Sequence, residues 1–279
     1  MKNLMVWAIL LGVLVVGIGY HYSVRQDMAQ IEQAEVIPSP KPPAAEPRYP
    51  IEAVPAPAPE SDAGLAVSSE QPLPEPPAAK LILPTLADSD QFVRSAAVSL
   101  IGESAVDQWF VTDYLVSRLV ATVDSLDGRR VAPAMRPIVP IAGRFLVLGQ
   151  AQDAALSPAN AARYAPYVEL IEAVDMADLI RYYRDYYPLF QEAYLGLGYE
   201  DVYFNDRLVA ILDHLLVTPL PQGPAALRQN EAVYEFVAPE LEAMSVGQKA
   251  LYRLGPDQGQ RMRARLQLLR DGVATAADS

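Results

Sequence analysis

Fourteen of the chain's 25 prolines fall between Pro38 and Pro84, mixed with alanine, glutamate and serine. Proline cannot donate to a helix or a central strand, and such a stretch offers few large apolar groups to bury. Residues 26–83 are therefore expected to form a disordered, partly extended linker in polyproline-like conformations. The linker divides the 279-residue chain into a short leading segment and a following segment long enough for one ordinary domain. A PxxP ligand for an aromatic groove is the rival use of the same residues.

Ahead of the linker, Leu4 to Tyr20 carries no charge. Wound as a helix this run reaches roughly 25 Å, the short end of what crosses a hydrocarbon core of about 30 Å. Trp7 near one end, and Tyr20, His21 and Tyr22 at the other, are side chains that favour the interface. Residues 1–25 read as a single transmembrane anchor. A cleaved signal peptide is the alternative, with Gly17-Ile18-Gly19 as its small-x-small site. Lys2 and the terminal amine precede the run and Arg25 follows it, which favours export of everything downstream.

From Pro84 to Gly272 apolar residues follow a helical period. Phe92, Val93, Ala96, Ala97, Leu100 and Ile101 share one face of a first helix. A second is expected from Ser104 through Val123, stopping at Asp127-Gly128. Arg129 to Asn160 contains four prolines and reads as a long loop, with Phe145 to Leu148 its only plausible strand. Met176, Leu179, Ile180, Tyr183, Tyr187, Phe190, Tyr194 and Leu197 then form one apolar stripe, which Pro188 either kinks or divides. Further helices carry Phe204 to Leu215, open at a Ser245–Gln248 capping box, and run from Asp257 to Arg270. The expectation is an all-α domain of about six to eight helices over residues 84–272, with a flexible tail at 273–279.

Composition narrows the chemistry. A net charge of −12 and the absence of cysteine argue against a general nucleic-acid binder and exclude disulfides, thiolate metal sites and cysteine nucleophiles. His214 is the domain's one histidine, so a metal site would need carboxylates, and no cofactor is expected. Asp206 and Asp213 share a helix face, with Arg207 and His214 beside it, but lie about 10 Å apart along the axis. Asp213 and His214 point about 100° apart on a helix, which defeats a serine-histidine-aspartate arrangement. Cell-wall glycan cleavage would need carboxyl groups beside the glycosidic oxygen, and Glu103, Glu192 and Asp206 are the candidates. Glu103-Ser104 is similar to the Glu-Ser pair of soluble lytic transglycosylases, without the Gly-Leu-Met-Gln run that follows in those enzymes. Tyr182, Arg184 and Tyr186, lying beside the stripe, form a candidate partner patch, as do Arg163 and Tyr164.

Several short pieces together resemble one family. Leu83-Pro84-Thr85-Leu86, Ser89-Asp90-Gln91-Phe92-Val93, Val120 to Leu126, Arg163-Tyr164 and Tyr187 to Tyr194 begin the pattern. Leu197-Gly198-Tyr199, Phe204-Asn205-Asp206-Arg207, Asp213 to Leu216, Leu241-Glu242, Gly247-Gln248-Lys249 and Arg253 continue it. They are similar to the proteobacterial family known as domain of unknown function 3014, with Ser125 where that family usually has asparagine. The resemblance implies no catalytic residue. It implies an anchor, a tether and an exported domain in a Gram-negative envelope. The anchor and tether, together with the lack of enzyme motifs, lead to the expectation of a single-pass inner-membrane protein that presents a helical interaction module in the periplasm, with an envelope protein or peptidoglycan as partner.

Overall fold

The computed structural model describes residues 46–51, 83–141, 143–150, 153–230 and 233–275. The expected anchor, most of the expected linker and the last residues of the tail lie outside them. Among the described residues the chain is mostly helical, with nine α-helices, two short 3₁₀ turns and two small antiparallel pairs. None of these helices is long and apolar enough to cross a membrane.

The helices are α1 (Ser89–Ile101), α2 (Glu103–Trp109), α3 (Leu115–Asp124), α4 (Asn160–Glu172) and α5 (Met176–Leu195). They continue with α6 (Phe204–Leu216), α7 (Pro239–Ala243), α8 (Val246–Arg253) and α9 (Gly255–Ala274). The strands are β1 (Val147–Leu148), β2 (Ala155–Leu156), β3 (Leu227–Asn230) and β4 (Val233–Phe236).

The stripe anticipated from spacing is the centre of the fold. It lies on α5, a single helix in which Pro188 is an interior residue rather than a break. Asp175 starts that helix by accepting the amides of Ala177 and Asp178. Helix α3 packs against α5 and α6, and α9 packs against α4, α5, α6 and α8. Leu179, Tyr183, Phe190, Phe204, Leu208, Leu212, Met262, Leu266 and Leu269 fill the space between them. Each large apolar side chain removed from water there stabilises the fold by about 1.5–3 kcal/mol.

Three expectations are corrected. The helix foreseen from Ser104 to Val123 is two helices, because Phe110 leaves α2 in an extended conformation and bridges to Ile138. The chain re-enters helix at Tyr114, whose left-handed φ of 54° brings its amide and that of Leu115 onto the carboxylate of Asp90. Secondly, β3 and β4 form an antiparallel hairpin with Leu227 opposite Phe236, where no strand was foreseen. With β2 they cover a second small core of Leu156, Leu227, Phe236, Met244 and Tyr252. Thirdly, α9 continues beyond Gly272, and Val273 is buried, so the last helix takes in what was read as the start of a tail.

One stretch of the expected linker lies on the domain. Residues 46–51, Glu-Pro-Arg-Tyr-Pro-Ile, lie against the domain, and Tyr49 and Ile51 pack on the main core. Tyr49 is the only aromatic residue between Gln26 and Leu83, so this is the one place in that stretch with an aromatic surface to bury.

Candidate functional site

The described residues form an open cleft of about 340 Å³ beside the amino-terminal turns of α6. Tyr194 closes it from α5, Asp201, Val202 and Tyr203 from the connecting loop, and Asp206, Val209, Ala210 and Asp213 from α6 itself. Arg48, Tyr49 and Arg207 complete the lining.

The start of α6 is built by polar groups of α5. Gln191 accepts the Phe204 amide and the Tyr187 hydroxyl on its side-chain oxygen, and donates to the Val202 carbonyl. That fixes the entry into α6 and leaves its next two residues facing segment 46–51. Asp206 accepts the Arg48 amide on Oδ2 at 3.0 Å and the Tyr49 amide on Oδ1 at 2.9 Å. A carboxylate in the first turn of a helix also faces the positive end of the helix dipole. Asn205, only 1% exposed, accepts the Tyr183 hydroxyl on Oδ1 at 2.9 Å. Its amide nitrogen donates to the Tyr49 carbonyl at 2.8 Å and to the Val273 carbonyl at 3.0 Å. One asparagine therefore ties α5, α6, the end of α9 and segment 46–51 together, with every polar atom of its side chain engaged.

Electrostatics follow the same geometry. Burial, together with the charges of Tyr187 and Asp206, raises the Tyr183 hydroxyl well above the usual phenol value. Burial lifts Tyr187 and Tyr194 to about 12. Arg207 also lines the cleft, but its guanidinium grips Asp124 at the end of α3 and Asp127 just beyond it, at 2.7 and 2.8 Å. Burial opposes its charge, but hydrogen bonds to Asp127 and Asp124 outweigh that and keep its pKa above the ordinary guanidinium value. For Asp127 the burial penalty is likewise overcome by Arg207, leaving its carboxyl below the ordinary range.

The other sequence candidates are dispersed. Asp213 lines the cleft but pairs with Arg270 at 2.8 Å. His214 Nε2 lies 2.9 Å from the hydroxyl of Ser245, which caps α8, so this histidine belongs to the α6–α8 joint. Tyr182 and Tyr186 are not a surface patch: they are 7% and 4% exposed. Phe92 of α1 packs edge-on against Tyr186 with ring centres 5.2 Å apart, which buries a second face of α5 that the stripe does not reveal. Arg184 donates to the carbonyls of Gly272 and Thr275 and so caps α9. Tyr164 is a core residue, and Arg163 holds the Gly143 carbonyl.

Of the three carboxylates considered for glycan cleavage, only Asp206 lines the cleft. Glu103 is an exposed residue within 3.5 Å of Arg94, and Glu192 is exposed on α5. No group of three or more histidine, aspartate or glutamate residues among the described residues is placed to hold a metal ion. Asn205, Tyr49 and Arg48 are the site residues that sequence reasoning missed. The isolated Tyr-Pro-Ile in the proline-rich stretch was the signal for Arg48 and Tyr49, and the Phe204-Asn205-Asp206-Arg207 piece was that for Asn205.

The family model described as a protein of unknown function, DUF3014, matches residues 115–270, more than half of the chain. The chain belongs to the DUF3014 family. In this DUF3014 protein the matched region runs from α3 into the last turns of α9 and includes Asn205 and Asp206, while segment 46–51 precedes it. No curated protein and no solved structure matches the DUF3014 chain.

Proposed function

We propose that this protein is a single-pass inner-membrane protein whose helical domain serves as an interaction module in the periplasm. The observation that carries the module reading is the capture of main chain at the cleft. Asp206 and Asn205 hold two amides and a carbonyl of a short peptide segment, which is recognition chemistry rather than bond-breaking chemistry. The rim agrees with it: Tyr199 and Tyr203 are exposed along the loop that borders the cleft, aromatic residues of the kind that interfaces favour. The uncharged run from Leu4 to Tyr20 supports the anchor, and the residues between Tyr22 and Glu46 supply the reach that presents the domain away from the bilayer.

Fractionation of cells making the chain with a carboxy-terminal tag tests the placement. The tag is expected in the membrane fraction and open to protease in spheroplasts. A soluble tag, or one that resists protease in spheroplasts, contradicts it. A photo-crosslinking residue at Tyr203, on the cleft wall, tests the module. Crosslinks there and not at the buried Tyr182 are expected, and equal crosslinking at both positions contradicts the cleft as the contact surface.

A further inference from the structure

Segment 46–51 and its cleft have the form of a ligand and a receptor. The domain supplies the fixed half: a carboxylate that accepts two successive amides, and a buried amide nitrogen that donates to the carbonyl following them. The segment supplies a bend at Arg48–Tyr49 and two apolar side chains, Tyr49 and Ile51, that pack on the core across Pro50. The Arg48 side chain is exposed, so the arginine contributes its amide rather than its charge.

Asn205 makes the arrangement conditional. Three of its four contacts stay within the domain or its own helix, but the Tyr49 carbonyl arrives from outside it. Asn205 is 1% exposed with the segment seated; when the segment leaves, one of its amide hydrogens loses its acceptor and Asp206 loses two donors at once. Buried polar groups left without partners are costly, so the empty cleft favours another peptide carbonyl in the same place.

We propose that this cleft is a peptide-recognition site, filled in the resting chain by its own residues 46–51 and opened to a peptide of another protein when they detach. The ligand class follows from the contacts: an aromatic–proline–aliphatic sequence in which the aromatic residue and the one before it both have free amides. Because residues 52–82 connect the segment to the domain, it presents itself at an effective concentration on the order of a millimolar. A peptide of tens of micromolar intrinsic affinity therefore binds the resting chain at least about tenfold more weakly than the opened one. The proposal deepens the interaction-module reading and is independent of the membrane placement.

The experiment uses the full chain in detergent and the labelled heptapeptide Glu-Pro-Arg-Tyr-Pro-Ile-Glu, followed by fluorescence anisotropy. In the chain carrying R48P and Y49P, both amides that Asp206 accepts are gone and the domain is untouched. The peptide is expected to bind this chain at least about tenfold more tightly than the unaltered chain. The same peptide with proline in place of its arginine and tyrosine is expected not to bind. Failure of the heptapeptide to bind the opened chain, or equal binding to both chains, overturns the proposal. A second readout needs no altered protein: millimolar unlabelled peptide added to the unaltered chain should speed hydrogen exchange at the Arg48 and Tyr49 amides, and unchanged exchange there overturns it as well. Should binding fail while the tag still fractionates with membranes, the cleft proposal falls and the anchor stands.

Discussion

Replacing Asn205 by alanine removes the group on which four parts of the molecule converge. The substitution takes an acceptor from the Tyr183 hydroxyl, 0% exposed, and a donor from the Val273 carbonyl, and it frees the Tyr49 carbonyl. A buried polar group left without a partner costs about 1–3 kcal/mol, and the Tyr49 carbonyl, nearer the surface, is resolvated cheaply. Two buried groups that each lose a hydrogen bond give an expected loss of about 3 kcal/mol for Asn205→Ala. For a domain of this size each kcal/mol lowers Tm by about 2–4 °C, so the melting point should fall by roughly 6–12 °C. Tyr183→Phe removes the donor from the other side and should cost about 1–2 kcal/mol, because the Asn205 oxygen is then unsatisfied. The double variant should lose at least about 0.5 kcal/mol less than the sum of the two, since the phenylalanine leaves no hydroxyl to strand. Urea titrations of the four proteins, followed by far-ultraviolet circular dichroism, measure all three quantities. A loss below about 1 kcal/mol for Asn205→Ala, or strict additivity with Tyr183→Phe, would refute the claim that this asparagine is the buried joint.

Three further outcomes follow from the same contacts. A methyl group at Gly247 would come within 2.7 Å of a Leu215 methyl and 2.9 Å of the Leu126 carbonyl oxygen, so Gly247→Ala should destabilise by about 1–3 kcal/mol in the same urea titration. Tyr167, Tyr186, Tyr187 and Tyr194 are each raised by burial to about 12, above the unfolded phenol value near 10. Their contribution is thus complete below about pH 10 and is lost as pH rises towards about 12, so phenolate absorbance should appear together with loss of helical signal in that window. Asp127 lies below its ordinary value because of Arg207, so the stability it contributes is present above about pH 4 and lost as pH falls through its lower folded-state value. The urea midpoint of Asp127→Asn should accordingly vary less between pH 5 and pH 3 than that of the unaltered chain.

Periodicity revealed what depends on neighbours in sequence. The stripe from Met176 to Tyr194 and the Ser245–Gln248 capping box are local patterns, and both are present as read. What depends on contacts between distant segments was hidden. Tyr182 and Tyr186 looked peripheral because one apolar stripe implies one buried face, yet Phe92, far away in sequence, buries another. Phe110 has a good helical spacing but pairs with Ile138 across the proline-containing loop, and a bridge between distant residues leaves no periodic trace. The hairpin was missed because its strands are four residues long and carry Arg228, Gln229 and Glu235, which mask the alternation of Leu227 and Phe236 with the surface positions.

The candidate site was legible only in part. Asp206 and Asp213 were singled out for sharing a face, and both do line the cleft, but each is engaged by a group that no spacing rule anticipates. Asn205 belongs to the family piece Phe204-Asn205-Asp206-Arg207 but was not a site candidate, because an asparagine in the first turn of a helix is an ordinary capping-type residue. Its importance arises from Tyr183, Val273 and Tyr49, which approach from three other parts of the chain. Composition also misled about Tyr49. A stretch rich in proline and alanine reads as linker throughout, although one tyrosine flanked by proline and isoleucine is enough to seat it on a domain that offers matching donors and acceptors.

Amide hydrogen exchange of the intact chain, resolved at Arg48 and Tyr49, reaches the main point without any added ligand. Seated on Asp206, both amides should exchange more slowly than in the free heptapeptide, and Asp206→Ala should return them to the free rate. Exchange at the free-peptide rate in the unaltered chain would show that the segment does not occupy the cleft, and the receptor reading of α6 would fail with it.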